Sequence, residues 1–127
     1  MRRLTRHEPT SIDEACELLR EHGDTAHLYA GGTELLTLLK LGLVNCANLI
    51  NLKAIPGLDY VRYEESTGWL HLGALATHRE VEQSQVVLEH FPVLAQMEQN
   101  VANVRVRNVG TVAGNLCFAD PYSDPGT

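Results

Sequence analysis

Cysteines and long apolar runs are scarce in this sequence, and each scarcity excludes a class of protein. The sequence has three cysteines, an odd number, and they lie far apart at Cys16, Cys46 and Cys117. This excludes a disulfide framework and any CxxC metal pair. No apolar run approaches the roughly 20 residues that a membrane-spanning helix needs, and the basic start lacks the apolar segment of a signal peptide. We therefore expect a soluble, cytoplasmic chain with no metal site of its own.

Positive charge is also scarce, because 10 Lys and Arg residues stand against 16 Asp and Glu residues, giving a net charge of −6. Nucleic acids and anionic membranes bind to basic faces, and the one basic cluster, Arg105 and Arg107, is too small to form one. We interpret that pair as a solvated strand face, since charged side chains are mostly exposed. The alternative is that it faces an anion or a partner acid.

Residue patterns for acid–base, nucleophilic or metal chemistry are missing as well. The six histidines form neither an HxH nor an HExxH pattern, and we expect them at the surface or behind other groups. No Ser/His/Asp, Cys/His or paired-carboxylate arrangement is inferable, so no catalytic residue is predicted. This lack is typical of a domain that holds a redox cofactor, because the cofactor then carries the chemistry.

The composition itself is that of a globular domain or part of one, with 127 residues, 44% apolar and 20% charged. The first half, residues 1–56, predicts a small β-α-β-α-β module. A capping box at Ser11 and Glu14 begins its first helix. The predicted strands cover residues 3–8, 26–30 and 48–52, and the helices end near Gly23 and Gly42.

The second half, residues 57–127, predicts a hairpin followed by helices. Thr77 and Glu80 form another capping box, and Glu98 interrupts the apolar face of a later helix. The predicted hairpin strands cover residues 58–63 and 69–72, and the helices residues 78–84 and 91–102. The sequence stops with no closing helix or strand, which indicates a fragment.

Two glycines stand between a predicted strand and a predicted helix, in the run Ala30-Gly31-Gly32-Thr33-Glu34. Such a loop lets an anion approach bare backbone N–H groups at a helix start, where the helix dipole is favourable. The alternative is a plain turn in which glycine supplies a positive φ. We expect Glu34 to cap the helix start rather than to act as a base.

A second run of small residues, residues 110–115, joins Gly110 and Gly114 with the hydroxyl of Thr111 and the carboxamide of Asn115. A pyrophosphate carries two charged phosphates, and two small-residue loops from different parts of a fold can bind it jointly. Taken alone, the second run is equally explained as an irregular turn. Neither loop is a GxGxxG or P-loop lysine motif, which excludes those two binding modes.

Two shorter signals accompany these loops. Ser123 and Asp124 place a hydroxyl beside a carboxylate, which suits a ribose or a ring, although a helix N-cap or a surface turn explains them as well. Gly73 and Ala74 end a predicted strand, and the missing side chain there indicates close approach by a ligand or simply a turn.

Three segments in this order give the chain a family resemblance: LYAGGTELLTLLKLGL, LHLGALATHREVEQS and VRVRNVGTVAGNLCFADPYSDP. The chain resembles the FAD-binding medium subunit of molybdenum hydroxylases of the carbon monoxide dehydrogenase and xanthine dehydrogenase type. The resemblance implies the α+β fold shared with vanillyl-alcohol oxidase and p-cresol methylhydroxylase (PCMH) flavoproteins. Residues 1–56 would be its N-terminal α/β FAD-binding subdomain, and residues 57–127 the first part of an incomplete second one.

The resemblance also implies residue roles. The first loop would run from Leu28 through Ala30 and Glu34 to Leu35, with Gly31, Gly32 and Thr33 on the FAD pyrophosphate. Gly110, Thr111, Gly114 and Asn115 would bind it too. The remaining contacts would be Leu72 and Gly73 by the flavin, Cys117 and Phe118 along the ribityl and adenine side, and Ser123 and Asp124 at the sugar or ring. Relatives often carry Ala-His where this chain has Cys117-Phe118.

The function that the resemblance implies is electron transfer through FAD, from iron–sulfur clusters in a small subunit to NAD⁺, a quinone or another acceptor. A molybdopterin large subunit would oxidise the substrate, and the present chain alone would be inactive. One alternative is a folded fragment without flavin that acts in assembly or self-association. Another is a different flavoprotein reductase of the same fold.

Overall fold

A computed structural model describes residues 4–126. The chain divides after Pro56 into two compact units, which are described separately below. No helix among these residues is long and apolar enough to cross a membrane. The assignment of the two units to FAD-binding subdomains stays a prediction.

The first unit contains the predicted β-α-β-α-β order. Its elements are β1 (Thr5–His7), α1 (Ile12–His22), β2 (Ala26–Tyr29), α2 (Thr33–Leu41) and β3 (Asn48–Asn51), with 3₁₀ turns at Gly23–Thr25 and Leu52–Ala54. The strands form a parallel sheet in the order β1-β3-β2. Because β3 is central, Leu49 and Ile50 are buried, at 5% and 0% exposure.

Local capping explains where α1 begins and ends. The Ser11 hydroxyl accepts a hydrogen bond from Glu14 N at 3.2 Å, while the Glu14 carboxylate accepts from Thr10 N at 2.8 Å rather than from the Ser11 amide of a reciprocal capping box. Gly23 ends the helix at φ +51° and donates to Leu19 O. The sequence therefore marks both ends of this helix.

The second unit is a hairpin packed against short helices. Its elements are β4 (Val61–Glu64), β5 (Trp69–Leu72), α3 (His78–Gln83), α4 (Gln85–His90), α5 (Pro92–Asn100), α6 (Val104–Arg107), α7 (Val112–Phe118) and a 3₁₀ turn at Asp124–Gly126. The two strands pair antiparallel, with Val61 opposite Leu72 and Glu64 opposite Trp69. The core consists of Ala76, Val81, Val87, Ala95 and Val112.

The predicted strand face around Arg105 and Arg107 is wrong, because these residues form α6. Val104 and Val106 alternate as in a strand, but Asn103 caps a helix: its side-chain oxygen accepts from Arg105 N at 3.0 Å and from Val106 N at 3.2 Å. The helix predicted over residues 91–102 is shorter, Pro92–Asn100, because Val101 is extended at ψ 114°. Nor does the sequence reading include α4.

Candidate functional site

The first predicted loop joins β2 to α2 at a position that only glycine fits. Gly32 is the N-cap of α2 with φ +76° and ψ 6°, a left-handed conformation that costs other residues energy. A Cβ built on Gly32 would lie 2.1 Å from the Tyr29 ring carbon Cε2. Both the backbone angle and the Tyr29 ring therefore require glycine here.

The N-terminus of α2 has no side-chain cap. The helices α4 and α5 likewise have none, whereas side chains cap α1, α3, α6 and α7. Glu34 lies exposed in the first turn of α2, and its interaction with the helix start stays a prediction. Uncapped N–H groups at a helix start, together with the helix dipole, form a favourable environment for an anion.

The other first-loop residues lie at or near the surface of the first unit. Leu28 is 44% exposed in β2, and the half-buried members are Ala30, Gly31, Thr33 and Leu35. Sequence reasoning missed Lys53, whose Nζ lies 4.7 Å from the Tyr29 ring centroid and donates to Tyr29 Oη at 3.4 Å. The Lys53 ammonium group thus lies over the Tyr29 ring, which contacts Gly32. No motif in the sequence indicates this cation.

The second predicted loop is a helix N-terminus rather than an irregular turn. Thr111 is the N-cap of α7, and its Oγ1 accepts from Gly114 N at 3.1 Å. Val112 N donates to Ala76 O at 3.1 Å. Gly110 and Thr111 are buried, whereas Gly114 is exposed. The chain itself already satisfies two of the backbone donors here, so the exposed part of this segment begins at Gly114.

A hydrogen bond brings together two of the predicted site residues. Ser123 Oγ donates to Asn115 Oδ1 at 2.5 Å, across eight positions of sequence. Asp124 is exposed and begins the last 3₁₀ turn, as the turn alternative predicted. The chain after α7 thus folds back so that Ser123 reaches the first turns of that helix.

Gly73 is explained by the chain's own backbone. A Cβ on this residue would lie 2.1 Å from Leu58 O and 2.9 Å from Tyr60 N, and Gly73 N donates to Tyr60 O at 2.8 Å. The close approach that the missing side chain indicated is therefore made by the start of the hairpin. The neighbouring Leu72 is half-buried in β5.

The three thiols differ in environment. Cys117 is exposed near the end of α7 and Cys16 is half-buried, whereas Cys46 is buried. Burial raises the pKa of the Cys46 thiol, and this outweighs the hydrogen bonds to backbone groups that lower it. Phe118, next to Cys117, is 41% exposed. Among residues 4–126, no group of three or more His, Cys, Asp and Glu side chains is placed to hold a metal ion.

A buried polar network lies beside the second segment, and the sequence reading missed it. His78, expected at the surface or behind other groups, is buried with Nδ1 2.6 Å from Oε2 of the buried Glu98. Arg107, expected to be solvated, is only 13% exposed and donates from Nε to Glu82 Oε2 at 3.1 Å. The second carboxylate oxygen of Glu82 accepts from Arg79 Nη1 at 2.7 Å. The partner-acid alternative is therefore correct for Arg107.

Comparisons with known proteins match almost the whole chain. The family model described as FAD binding domain in molybdopterin dehydrogenase matches residues 2–127. Caffeine dehydrogenase subunit beta of Pseudomonas sp. (strain CBB1) is 34% identical over 91% of the chain. The carbon monoxide dehydrogenase medium chain of Hydrogenophaga pseudoflava is 35% identical over 96%. The chain spans about two fifths of these relatives, 39% and 42% of their lengths.

Solved structures agree with these sequence matches. A structure of carbon monoxide dehydrogenase from Hydrogenophaga pseudoflava that lacks the Mo-pyranopterin moiety of the molybdenum cofactor gives a TM-score of 0.92 at 35% identity, over 97% of this chain and 42% of that one. Quinoline 2-oxidoreductase from Pseudomonas putida 86 gives a TM-score of 0.85 at 32% identity, over 92% and 40%.

Proposed function

Because the chain belongs to the family of FAD-binding domains in molybdopterin dehydrogenases, we propose that it binds FAD as the flavin-holding part of a molybdenum hydroxylase. The observation that carries the proposal is the uncapped start of α2, behind a glycine that no other residue replaces without strain. An uncapped helix N-terminus suits a dinucleotide pyrophosphate, whose charge it stabilises through backbone N–H groups and the helix dipole.

In the first unit, residues 31–33 would meet the pyrophosphate. Their backbone N–H groups and the Thr33 hydroxyl would donate hydrogen bonds, while Leu28 and Leu35 flank them with apolar surface. Lys53 adds a positive charge on the Tyr29 ring, and this charge favours an anionic ligand. The acidic Glu34 opposes that effect from an exposed position, where solvent screens its charge.

In the second unit, Gly114 and Asn115 would make the contacts that lie at the surface. Gly110 and Thr111 are buried, so their part is to hold the start of α7 in place. Gly114 has no side chain to block a ligand, and Ser123 orients the Asn115 carboxamide. Cys117, Asp124, Leu72 and Gly73 remain candidates for the flavin, ribityl and sugar contacts that the resemblance implies.

When bound, FAD supplies reversible electron uptake, which no side chain of this protein provides. The proposed role of this chain is therefore that of the oxidoreductase component that receives electrons from an iron–sulfur small subunit and delivers them to an acceptor. Substrate oxidation would belong to a molybdopterin large subunit. We further propose that the chain is inactive alone and that the complex is cytoplasmic.

Spectroscopy on the complete polypeptide that contains this sequence tests the proposal. After refolding with excess FAD and desalting, we expect stoichiometric flavin absorbance and quenched flavin fluorescence. Calorimetry with FAD and light scattering on the same sample address the alternative of a flavin-free assembly protein. A folded polypeptide that releases no heat with FAD, keeps no flavin and forms a dimer would overturn the flavin assignment in favour of that alternative.

A further inference from the structure

A buried hydrogen-bonded pair joins α3 to α5. His78 and Glu98 are 2% and 0% exposed, and His78 Nδ1 lies 2.6 Å from Glu98 Oε2. At this separation the His78 ring and the Glu98 carboxyl group share a short hydrogen bond. Glu98 therefore fixes the orientation of the His78 ring.

His78 in turn contacts the start of the segment that contains Gly110 and Thr111. Its backbone N–H donates to Gly110 O at 3.0 Å, and its ring lies so near that a Cβ on Gly110 would be 3.2 Å from His78 Cδ2. At the two positions before His78, Ala76 O accepts from Val112 N and Thr77 pairs with Thr111. The backbone of residues 76–78 is thus bonded to the start of α7, and the His78 ring lies against Gly110.

Glu82 holds the chain before this segment in a similar way. It lies one helical turn after His78 on α3 and accepts from Arg107 Nε at 3.1 Å. Arg107 Nη1 also donates to Val101 O at 3.0 Å. The same face of α3 thus fixes the chain on both sides of α6, which leads directly into Gly110.

The His78–Glu98 pair is not explained by a contribution to folding stability. Glu98 Oε1 is buried and has no hydrogen-bond partner among residues 4–126, and an unpaired buried oxygen opposes folding. Well-packed apolar residues in place of a buried ion pair are often as stable or more so. A role in placing the neighbouring segment accounts for the pair better than stabilisation does.

We propose that His78 and Glu98 are positioning residues that hold Gly110 and Thr111, and through them the N-terminus of α7, in the arrangement that binds FAD. This inference rests on the proposed function. It assigns the pair no contact with the cofactor. Its effect is transmitted by the contact between the His78 ring and Gly110, beside the backbone hydrogen bond from His78 N to Gly110 O.

The test compares four variants in the complete polypeptide. Glu98→Ala removes the partner of His78, His78→Asn removes the ring but keeps a donor, and Glu98→Gln keeps an acceptor. Val87→Ala makes a cavity in the core cluster that also contains Val112 but leaves the His78–Glu98 pair intact, and it serves as the control for lost stability. FAD dissociation constants and amide hydrogen exchange are measured at a temperature where circular dichroism shows each variant folded.

For Glu98→Ala and His78→Asn we expect FAD binding to weaken at least about tenfold, a change of about 1.4 kcal/mol. Exchange at the Val112 and Gly114 amides should accelerate by a similar factor, with the β4 and β5 amides unchanged. Glu98→Gln should stay within about threefold of the wild type, and Val87→Ala should bind FAD normally. If Glu98→Ala does not fold, His78→Asn decides.

Two results would overturn the inference: wild-type FAD affinity and amide exchange in His78→Asn, or equal weakening by Val87→Ala. Failure of the proposed function looks different, because the wild-type polypeptide itself would then retain no FAD. In that event the hydrogen-exchange comparison still reports whether the pair holds the start of α7.

Discussion

Thr77 and Thr111 face each other in an isolated antiparallel bridge, and each is the N-cap of the helix that follows it. Thr77 Oγ1 accepts from Glu80 N at 3.2 Å, and Thr111 Oγ1 accepts from Gly114 N at 3.1 Å. Two helix starts with the same capping chemistry therefore lie side by side, and only the start at Thr111 belongs to the proposed site.

Replacing each threonine by valine separates capping from cofactor binding. Loss of either cap should lower the free energy of unfolding by about 1 kcal/mol, measured by urea denaturation. FAD affinity should fall only in Thr111→Val, because that cap orders the segment with Gly114. Equal FAD affinity in the two variants would remove Thr111 from the proposed site.

Gly32→Ala and Gly42→Ala form a matched pair at the two ends of α2. Both positions are left-handed, at φ +76° and +72°, so each alanine should cost about 1–2 kcal/mol of stability. Only at Gly32 does the new Cβ meet the Tyr29 ring; at Gly42 nothing lies within 4 Å. FAD retention after desalting should therefore be lost in Gly32→Ala and kept in Gly42→Ala. Loss of FAD from both variants would contradict a local role for Gly32.

Gly73→Ala should destabilise the second unit whether or not FAD is present. The added methyl group would overlap Leu58 O, and such overpacking typically costs about 1–3 kcal/mol. Gly126→Ala is the control, because a Cβ there meets nothing within 4 Å. Thermal unfolding of the FAD-free protein measures both, and an unchanged midpoint for Gly73→Ala would refute the backbone explanation.

Alkylation of the thiols tests the placement of Cys117. With iodoacetamide at neutral pH, exposed Cys117 should react first. Buried Cys46 should react at least roughly tenfold more slowly, because the thiolate is the reactive form and burial raises the Cys46 pKa. Saturating FAD should slow Cys117 but leave half-buried Cys16 unchanged. Mass spectrometry of the peptides reads each rate, and no protection of Cys117 would argue against its contact with FAD.

Acid should loosen the β4–β5 hairpin through Glu64. A hydrogen bond from the Thr67 hydroxyl at 2.7 Å and, after it, the neighbouring His71 lower the pKa of Glu64. A carboxyl whose pKa is lower in the folded state stabilises the fold above its unfolded pKa of about 4.3, and this contribution disappears as the pH falls through the folded pKa. Urea midpoints between pH 7 and 3 should therefore fall less in Glu64→Gln than in the wild type. Parallel pH curves for the two proteins would exclude this role.

Much of the architecture is predictable because its signals are local. Ser11 and Gly23 mark the ends of α1, and the hairpin of β4 and β5 follows from its apolar runs. The α+β fold that the resemblance implied is confirmed by the TM-score of 0.92 to the carbon monoxide dehydrogenase structure. For the proposed site, the sequence also indicates the glycine of the β2–α2 loop, because a strand, two glycines and a helix follow one another there.

The buried polar network and the position of Lys53 depend on contacts between residues that are distant in the sequence, and residue spacing alone does not show such contacts. Glu98 interrupts an apolar helix face as a surface residue does, yet His78, 20 positions earlier, makes it a buried partner. Arg107 has the pattern of a strand residue until Glu82 and the Asn103 cap are known. Lys53 gives no signal at all, because it reaches Tyr29 across 24 positions.

The contact between Gly73 and Leu58 has a consequence for distinguishing flavin carriers from proteins that only share their architecture. A related polypeptide that had lost its dinucleotide would still need a residue without a side chain at the end of β5, because its own main chain occupies the space. The same holds for Gly32, whose left-handed backbone requires glycine with or without the coenzyme. In a survey of homologous sequences, constancy at these two glycines would therefore not by itself distinguish members that carry the flavin from members that have lost it.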